Sequence, residues 1–408
     1  MLIFHSNNLK KQSLDDLSLI LEKHYAVKIS RQGLDERFNK YAVQFLTNSL
    51  TKLLSHQLSR GTKGILKGKF KRILVKDSVC FQLHPSLKEY YAGSGGNGSE
   101  AALRIQFEYE LLSGKITDLS VNAFNDQDAT DSLATIGLTK AGDLILRDLA
   151  YMNTKVIKKL IKNLVHYLCR VKIGVKIYEL ITNDYVELDF RKIINYMKKH
   201  NISIMEKEVY YGAQDKLKTR LIICLLPAEA YAKRLRKAKR DSIREGRGGN
   251  ITKEQKIRAE LSLFITNTSP NQIPKESVWS VYRLRWQIEL MFKTWKSICE
   301  IDKVKKVKKE RLECYVYSKL FFIVLAWQKL WIIAKMMYAL TGKGLSFYKA
   351  LKTLYLTELQ EFREALMTSK ESLVNYLIHF FEVSISRHVL GRKSKELTSL
   401  EMILCYLT

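Results

Sequence analysis

YRLRWQIELMFKTWK, residues 282–296, sets one glutamate, Glu289, among four cations. At about 100° per residue, Tyr282, Arg285, Glu289 and Lys296 fall within an arc of roughly 60°. Leu284, Ile288, Met291 and Trp295 gather on the opposite side. The spacing predicts an amphipathic helix with one acid on a basic polar face. Two readings fit such a face. In one it is solvated, and Glu289 pairs with Lys293 at i,i+4, a contribution of roughly 0.2–0.5 kcal/mol. In the other it meets a polyanion, and Glu289 joins carboxylates from elsewhere in the chain around a metal.

Composition supplies the polyanion. The chain has 408 residues, 46% of them hydrophobic, enough to bury a large core divided among roughly two to four domains. Its formal charge of +28 is spread along the sequence instead of being confined to a tail. The whole molecule therefore sits in a positive field, and nucleic acid is the first partner to expect. Six scattered cysteines (Cys80, Cys169, Cys224, Cys299, Cys314, Cys405) show no zinc-type spacing and read as buried thiols in a reducing cytoplasm. The opening MLIFHSNNLKKQSLDD turns polar too soon for a signal peptide. One apolar run, LFFIVLAWQKLWIIAKMMYAL at 320–340, raises a membrane alternative, but Gln328, Lys329 and Lys335 interrupt it. A buried core helix is the expectation, with no membrane partner.

Elsewhere the apolar period changes along the chain. The first 60 or so residues carry helical spacing and read as a small DNA-reading bundle or a helical packing domain. KRILVKDSVCFQL (71–83) then reads as a strand ending on Asp77, followed by the loop AGSGGNGSEAA. LRIQFEYELLSGKITDLSVNAF (103–124) reads as an antiparallel hairpin with a Ser-Gly turn. After a helix, GDLILRDLAY is a strand ending on Asp148; a Lys- and Ile-rich helix leads to a fifth strand near Arg170. Residues 171–265 hold several β-type runs broken by the basic segment AKRLRKAKRDSIREGRGGN, read as a solvated loop. The order predicts an α/β protein with a mixed sheet covered by helices.

A strand-end Asp is usually a turn former or helix N-cap. Two of them, Asp77 and Asp148, together with Glu289 make a set of three that would repel one another strongly unless a divalent ion bound them. Oxygen ligands without His or Cys favour Mg²⁺ or Mn²⁺. Such ions suit in-line phosphoryl displacement, activating the attacking oxygen and stabilising the leaving one.

These residues also carry a family likeness. Tyr282, Arg285, Glu289 and Lys296 follow Y-(2)-R-(3)-E-(6)-K, and the stretch resembles the signature of a large group of bacterial insertion-sequence transposases with a DDE active site. KDS at Asp77 and RDLAY at Asp148 resemble that group's two acidic motifs, GLDERFNKYAVQFL its N-terminal helical region, and TRLIICLLP and LFITNTSP parts of its β-insert.

The resemblance implies a ribonuclease-H-like fold with helices on both faces, and a cut-and-paste enzyme using two metal ions, Mg²⁺ or Mn²⁺. It implies that Asp77, Asp148 and Glu289 bind the metals, and that Tyr282, Arg285, Lys296, Arg170 and Lys293 contact DNA. The implied partner is double-stranded DNA, both the terminal inverted repeats and the target, engaged by a dimer assembled on two ends in the cytoplasm. The expected organisation is a helical DNA-binding region (1–65), a first core segment (66–170), a β-rich insertion (171–265), a second core segment (266–345) and a helical C-terminal region (346–408). Some members place a base-stacking tryptophan before the T-N-like segment. Leu261, Ser262 and Leu263 stand there in this chain, with Phe264, Tyr210 and Tyr211 as the nearby aromatics. Asp126, Asp128, Asp131, Glu300 and Asp302 match no motif and read as surface or loop acids. A nuclease without strand transfer and a DNA-binding protein without catalysis are the competing functions.

Overall fold

The computed structural model describes residues 1–5, 9, 11–56, 69–94, 98–172 and 174–391. The expected boundary near residue 65, part of the Gly/Ser loop at 95–97, Cys405 and the expected C-terminal region beyond 391 lie outside the described residues. Helices α1 (Leu14–Tyr25), α2 (Arg31–Arg37) and α3 (Lys40–Ser55) come first. Strands β1 (Ile73–Gln82), β2 (Ala102–Glu110) and β3 (Ile116–Ala123) follow, then α4 (Asp128–Ala134), β4 (Leu144–Arg147), α5 (Thr154–Lys162) and β5 (His166–Arg170). Next come β6 (Ile177–Ile181), β7 (Asp184–Glu187), α6 (Phe190–Lys199), β8 (Ile204–Tyr211), β9 (Leu217–Leu225), α7 (Ala228–Arg244), α8 (Lys253–Glu260) and β10 (Leu261–Thr266). Helices α9 (Val278–Arg283), α10 (Trp286–Ser297), α11 (Lys309–Thr341), α12 (Phe347–Leu356), α13 (Leu359–Thr368) and α14 (Lys370–Arg387) close the described chain.

The chain forms two compact units. The first comprises Met1–Lys67, Val75–Gln127 and Trp286–Thr408, the second Gly68–Leu74 and Asp128–Arg285. Both mix helices with sheet, in agreement with the α/β class expected from the sequence.

In the first unit the strands run in the order β3-β2-β1, with β2 and β3 an antiparallel hairpin. Both faces of β2 are buried, although its sequence alternates apolar and polar. The polar face is tolerated because its groups are bonded. Arg104 donates to the Ser78 hydroxyl and the Phe124 carbonyl, Glu108 accepts from the Thr117 hydroxyl, and Glu110 accepts from the backbone N–H of Leu112 and Ser113. Lys76, fully buried, pairs with Asp118 at 2.7 Å. The long apolar helix α11 is 33 residues, long and apolar enough to cross a membrane by composition, yet two-thirds of its most apolar window is buried inside the protein. Leu14, Leu17, Leu34 and Phe38 of the N-terminal helices pack on Cys314 and Tyr315 near its start, and Phe322 packs on Tyr355 of α12.

In the second unit β4 and β5 are parallel. β10 pairs antiparallel with β5 on one side and β9 on the other, and the sheet continues through β8 and β6 to β7. The strands within 171–265 therefore extend the same sheet as β5. Val156, Ile157 and Leu160 of α5 and Phe190, Ile193, Ile194 and Met197 of α6 join one core with Tyr167, Leu221 and Ile265. Arg72 grips the buried Asp143 with two hydrogen bonds, at 3.0 and 2.5 Å.

Two expectations need correction. The strand at 73–82 does not end on Asp77; it runs five residues further, because Ser78–Gln82 keep the β pattern and Val79 and Phe81 are buried. The basic segment 232–250 is not a loop throughout: up to Arg244 it lies on the 17-residue helix α7, as Ala, Lys, Arg and Leu with no glycine before Gly246 favour.

The hairpin turn offers a sharp test of the packing under α11. Gly114 has φ +71, a Cβ there would meet the Trp331 ring at 2.7 Å, and its carbonyl accepts a 3.0 Å hydrogen bond from Trp327 Nε1. Gly114→Ala should therefore destabilise the protein by about 2 kcal/mol or more, through both φ strain and overlap. Thermal unfolding reads this out; a midpoint equal to the parent's would mean the turn and Trp331 are not packed as described.

Candidate active site

Within the first unit, alternation along β1 puts Asp77 on one face with Val75 and Val79, and Lys76, Ser78 and Cys80 on the other. The Arg104–Ser78 bond aligns the polar face of β2 with the Ser78 side, so Asp77 shares its face with Phe107. That is the face α10 covers, since Phe107 meets Trp295 at 5.0 Å and Phe292 at 6.2 Å. Lys296 Nζ donates a 3.0 Å hydrogen bond to the Cys80 carbonyl, tying the last turn of α10 to β1. Glu289 lies in the first turn of α10, where the N-terminal end of the helix dipole favours a carboxylate. Asp77 and Glu289 are both half-buried, and one Asp77 oxygen accepts from the Ser78 N–H at 2.8 Å. Lys293 is exposed on the same helix.

Within the second unit, β4 ends at Arg147, so Asp148 stands on the first residue past the strand. Tyr282 is buried, and its hydroxyl pKa is driven up chiefly by that burial, with Asp148 adding to the shift and Arg285 and Arg170 opposing it. Asp148, Arg170, Tyr282 and Arg285 thus share one electrostatic neighbourhood. Arg285 lies over the Tyr282 ring at 5.8 Å. That ring packs edge-on against Phe264 at 5.2 Å, and Phe264 sits opposite Arg170 in the β10–β5 ladder. The Tyr282 hydroxyl is buried with no hydrogen-bond partner among the described residues. Arg234 of α7, indistinguishable by sequence pattern from its basic neighbours, donates to the Leu261 carbonyl and the Ser262 hydroxyl, each at 2.7 Å. Its pKa is drawn down by burial and then by Arg170. Only the fold brings it near Arg170.

The single helix expected over 282–296 is two. The Leu284 and Arg285 N–H groups bond three residues back, to Val281 and Tyr282, and this tightening breaks the α register between α9 and α10. Tyr282 and Arg285 consequently do not form a solvated face with Glu289. They are 9% and 8% exposed. The apolar side is as expected, with Leu284, Ile288, Met291 and Trp295 all buried. Leu261, Leu263, Phe264 and Tyr211 are core residues, and Tyr210 packs edge-on against Tyr185 at 4.9 Å. Asp128 and Asp131 lie on α4; Asp126, Glu300 and Asp302 lie outside the helices and strands.

Among the described residues, no group of three or more His, Cys, Asp or Glu side chains is gathered to hold a metal ion. The donors carried by Asp77, Glu289 and Asp148 are nevertheless of the right chemical class, carboxylate oxygens that suit a hard divalent ion. Cys169 beside Asp148 is fully buried, and its thiol is pushed up by burial and then by Asp148, so it adds no thiolate.

The family profile described as "Transposase DDE domain" matches residues 68–325. The transposase for insertion sequence element IS231F of Bacillus thuringiensis subsp. israelensis is 31% identical over 338 residues, 79% of this chain and 70% of that protein. The transposase for IS231E of B. thuringiensis subsp. finitimus is 30% identical over 408 residues, 96% of this chain and 84% of that protein. The transposase for IS1151 of Clostridium perfringens is 30% identical over 344 residues, 79% and 71% of the two chains. Relatives aligned over nearly the whole length, and a catalytic-domain match over more than half of it, mean that the chain belongs to the DDE transposases of bacterial insertion sequences, metal-dependent enzymes that act on DNA.

Proposed function

We propose that the protein binds the terminal inverted repeats of its insertion sequence, cleaves the DNA there and joins the 3′ ends to target DNA, as a dimer assembled on two ends in the bacterial cytoplasm. Asp77, Asp148 and Glu289 are the metal-binding carboxylates in this reading. The observation that carries it, beyond membership of the family, is that α10 covers the face of β1 bearing Asp77 while carrying Glu289 itself. Bound Mg²⁺ or Mn²⁺, expected as two ions, supplies activation of the attacking oxygen and neutralisation of the leaving one. The chain's own residues then hold the DNA. Arg170 and Lys293 neutralise phosphates flanking the scissile bond, while Arg285, buried over the Tyr282 ring, adds positive field at the site. Lys296, already fixed on Cys80, holds α10 in place and adds positive charge beside the reacting phosphate.

Asp77→Ala, Asp148→Ala and Glu289→Ala should each abolish Mg²⁺-dependent cleavage and joining of end DNA, with end binding kept to within a few-fold, because affinity rests on many phosphate contacts. Chelation with EDTA should have the same effect on the parent. A fully active variant at any one position removes that residue from the set. Precut ends offered with target DNA separate a transposase from a nuclease, since only the former yields joined product.

Burial divides the cations. Arg285→Ala should lower stability by about 1–3 kcal/mol as well as slow cleavage, because it empties a buried site and strips the Tyr282 ring of its cation. Lys293→Ala should stay within about ±0.5 kcal/mol of the parent while weakening DNA binding. Unfolding curves and single-turnover cleavage on the same preparations check both; an Arg285→Ala protein of parental stability contradicts its burial.

Helix α7 exposes Lys233, Arg236, Lys237 and Arg240. Replacing these four with Gln, a good helix former, should reduce the slope of log affinity against log salt by about three to four. An unchanged slope would take α7 out of the DNA-binding surface.

A further inference from the structure

Helix α3 carries no Asp or Glu in its 16 residues and divides cleanly into two faces. Ala42, Val43 and Leu46 pack into the cluster formed with Cys314 and Tyr315, Leu50 is buried, and the Thr47 hydroxyl donates to the Val43 carbonyl at 2.9 Å. The opposite face presents Tyr41, Gln44, Phe45, Asn48 and Lys52, all exposed. Two of these are large aromatics left in solvent, Tyr41 at 68% and Phe45 at 70%, a costly placement for a helix with no outer partner. Among the described residues, the Gln44 and Asn48 amides make no hydrogen bond, whereas the neighbouring Thr51 and Ser55 hydroxyls are spent on their own helix.

The charges around this face are mostly positive, with Glu36 the exposed acid of α2. Lys40 and Lys52 lie at its two ends, and α2, two residues upstream, adds exposed Arg31 and Arg37. The acids of α2 are engaged, Asp35 by Lys308 at 3.1 Å and Glu36 by Gln32 at 3.2 Å. An acid-free, cation-flanked helix bearing two amides and two aromatics about one turn apart suits the DNA major groove, about 12 Å wide. There Gln or Asn binds the N6 and N7 of adenine with two hydrogen bonds, and apolar groups meet the thymine methyl. The 16 residues span about 24 Å, so the face can track several base pairs. An apolar protein partner would leave the cation frame unused.

We infer that α3 is the sequence-reading helix. Gln44 and Asn48 contact base edges, Tyr41 and Phe45 lie against thymine methyls, and Lys40, Lys52, Arg31 and Arg37 fix the register on the phosphates. This rests on the transposase reading for its biological meaning but names where the sequence preference resides, which is separable from catalysis. Asn39, whose side chain caps α3 through the Tyr41 and Ala42 N–H groups, holds the first of these side chains at the start of a rigid helix.

The test uses the full-length protein and duplexes of about 30 base pairs, roughly three helical turns, selected by it from a random pool. The readout is the ratio of affinity for the selected duplex to that for a shuffled duplex. Gln44→Ala and Asn48→Ala should each cut the ratio about 5- to 100-fold and leave shuffled-duplex binding unchanged. Lys52→Ala should weaken both duplexes alike and lower the salt slope by about one. Thermal unfolding should be unaltered, since every one of these side chains is exposed. If the Gln44→Ala/Asn48→Ala double variant keeps the parental ratio, or if the parent selects no sequence at all, α3 is not the reader. Concentration-dependent self-association that is lost in Tyr41→Ser/Phe45→Ser, with DNA selection intact, would assign the face to a second copy and overturn the proposal. Mg²⁺-dependent cleavage, assayed separately, decides the transposase chemistry whichever way α3 behaves.

Discussion

A helix as long and apolar as α11 has to be covered along most of its length, and the first unit is largely the means of covering it. The β2–β3 turn reaches it through Gly114 and Trp327, the N-terminal helices seat Phe38 edge-on against Tyr315 at 5.7 Å, and α12 brings Tyr355 to Phe322 at 5.0 Å. Each contact removes apolar surface from water at about 25 cal/mol per Å². Burial on this scale also fixes what lies beside it. Once Trp327 meets Tyr109 at 5.6 Å, β2 is held, and with it the Phe107 face on which α10 and its Glu289 rest. The apolar run that raises a membrane alternative in the sequence is thus what orders the face of the unit that bears Asp77.

Much of this was legible before any coordinates. The hairpin alternation, the strand leading to Asp148, the strand near Arg170 and the buried stripe of α10 follow from periods of 2 and 3.6, which local sterics enforce. What was not legible depends on burial from both sides or on short-range hydrogen bonding. β2 alternates like a half-exposed strand, yet Arg104, Gln106, Glu108 and Glu110 are buried, because tertiary partners satisfy groups that composition places in water. The break at Leu284 and Arg285 has no proline or glycine to announce it. It is set by two bonds reaching three residues back, a choice made by packing. α7 was obscured by its charge, since a run of cations reads as a loop unless helix propensity is weighed against repulsion.

The same break changes what Arg285 means. On a continuous helix it would stand on a wet face, and its charge alone would matter. Buried over Tyr282 and sharing a neighbourhood with Asp148 and Arg170, it contributes to the fold and to the field at once. Burial weakens solvent screening, so a given charge acts more strongly on its neighbours, and the direction of the Tyr282 shift records that competition. Desolvation raises the hydroxyl pKa while Arg285 and Arg170 pull the other way. A neutral phenol held so is a hydrogen-bond donor toward an anion and brings no negative charge of its own.

The surplus of cations is best understood by asking which ones the protein uses internally. Arg72 on Asp143, Lys76 on Asp118 and Arg220 on Glu206 are ion pairs with at least one partner well buried, and they serve the fold. The exposed cations of α7 and α2 lie on helices whose acids are few or already engaged, so their field is directed outward. Arg234 stands between these classes. It leaves from the same helix as Lys233 and Arg236, turns inward onto Leu261 and Ser262, and so ties the outward-facing basic helix to the strand that pairs with Arg170. A phosphate backbone lying along α7 would thereby be held in fixed register with β10, because the helix that carries the charge cannot move without breaking the bonds Arg234 makes.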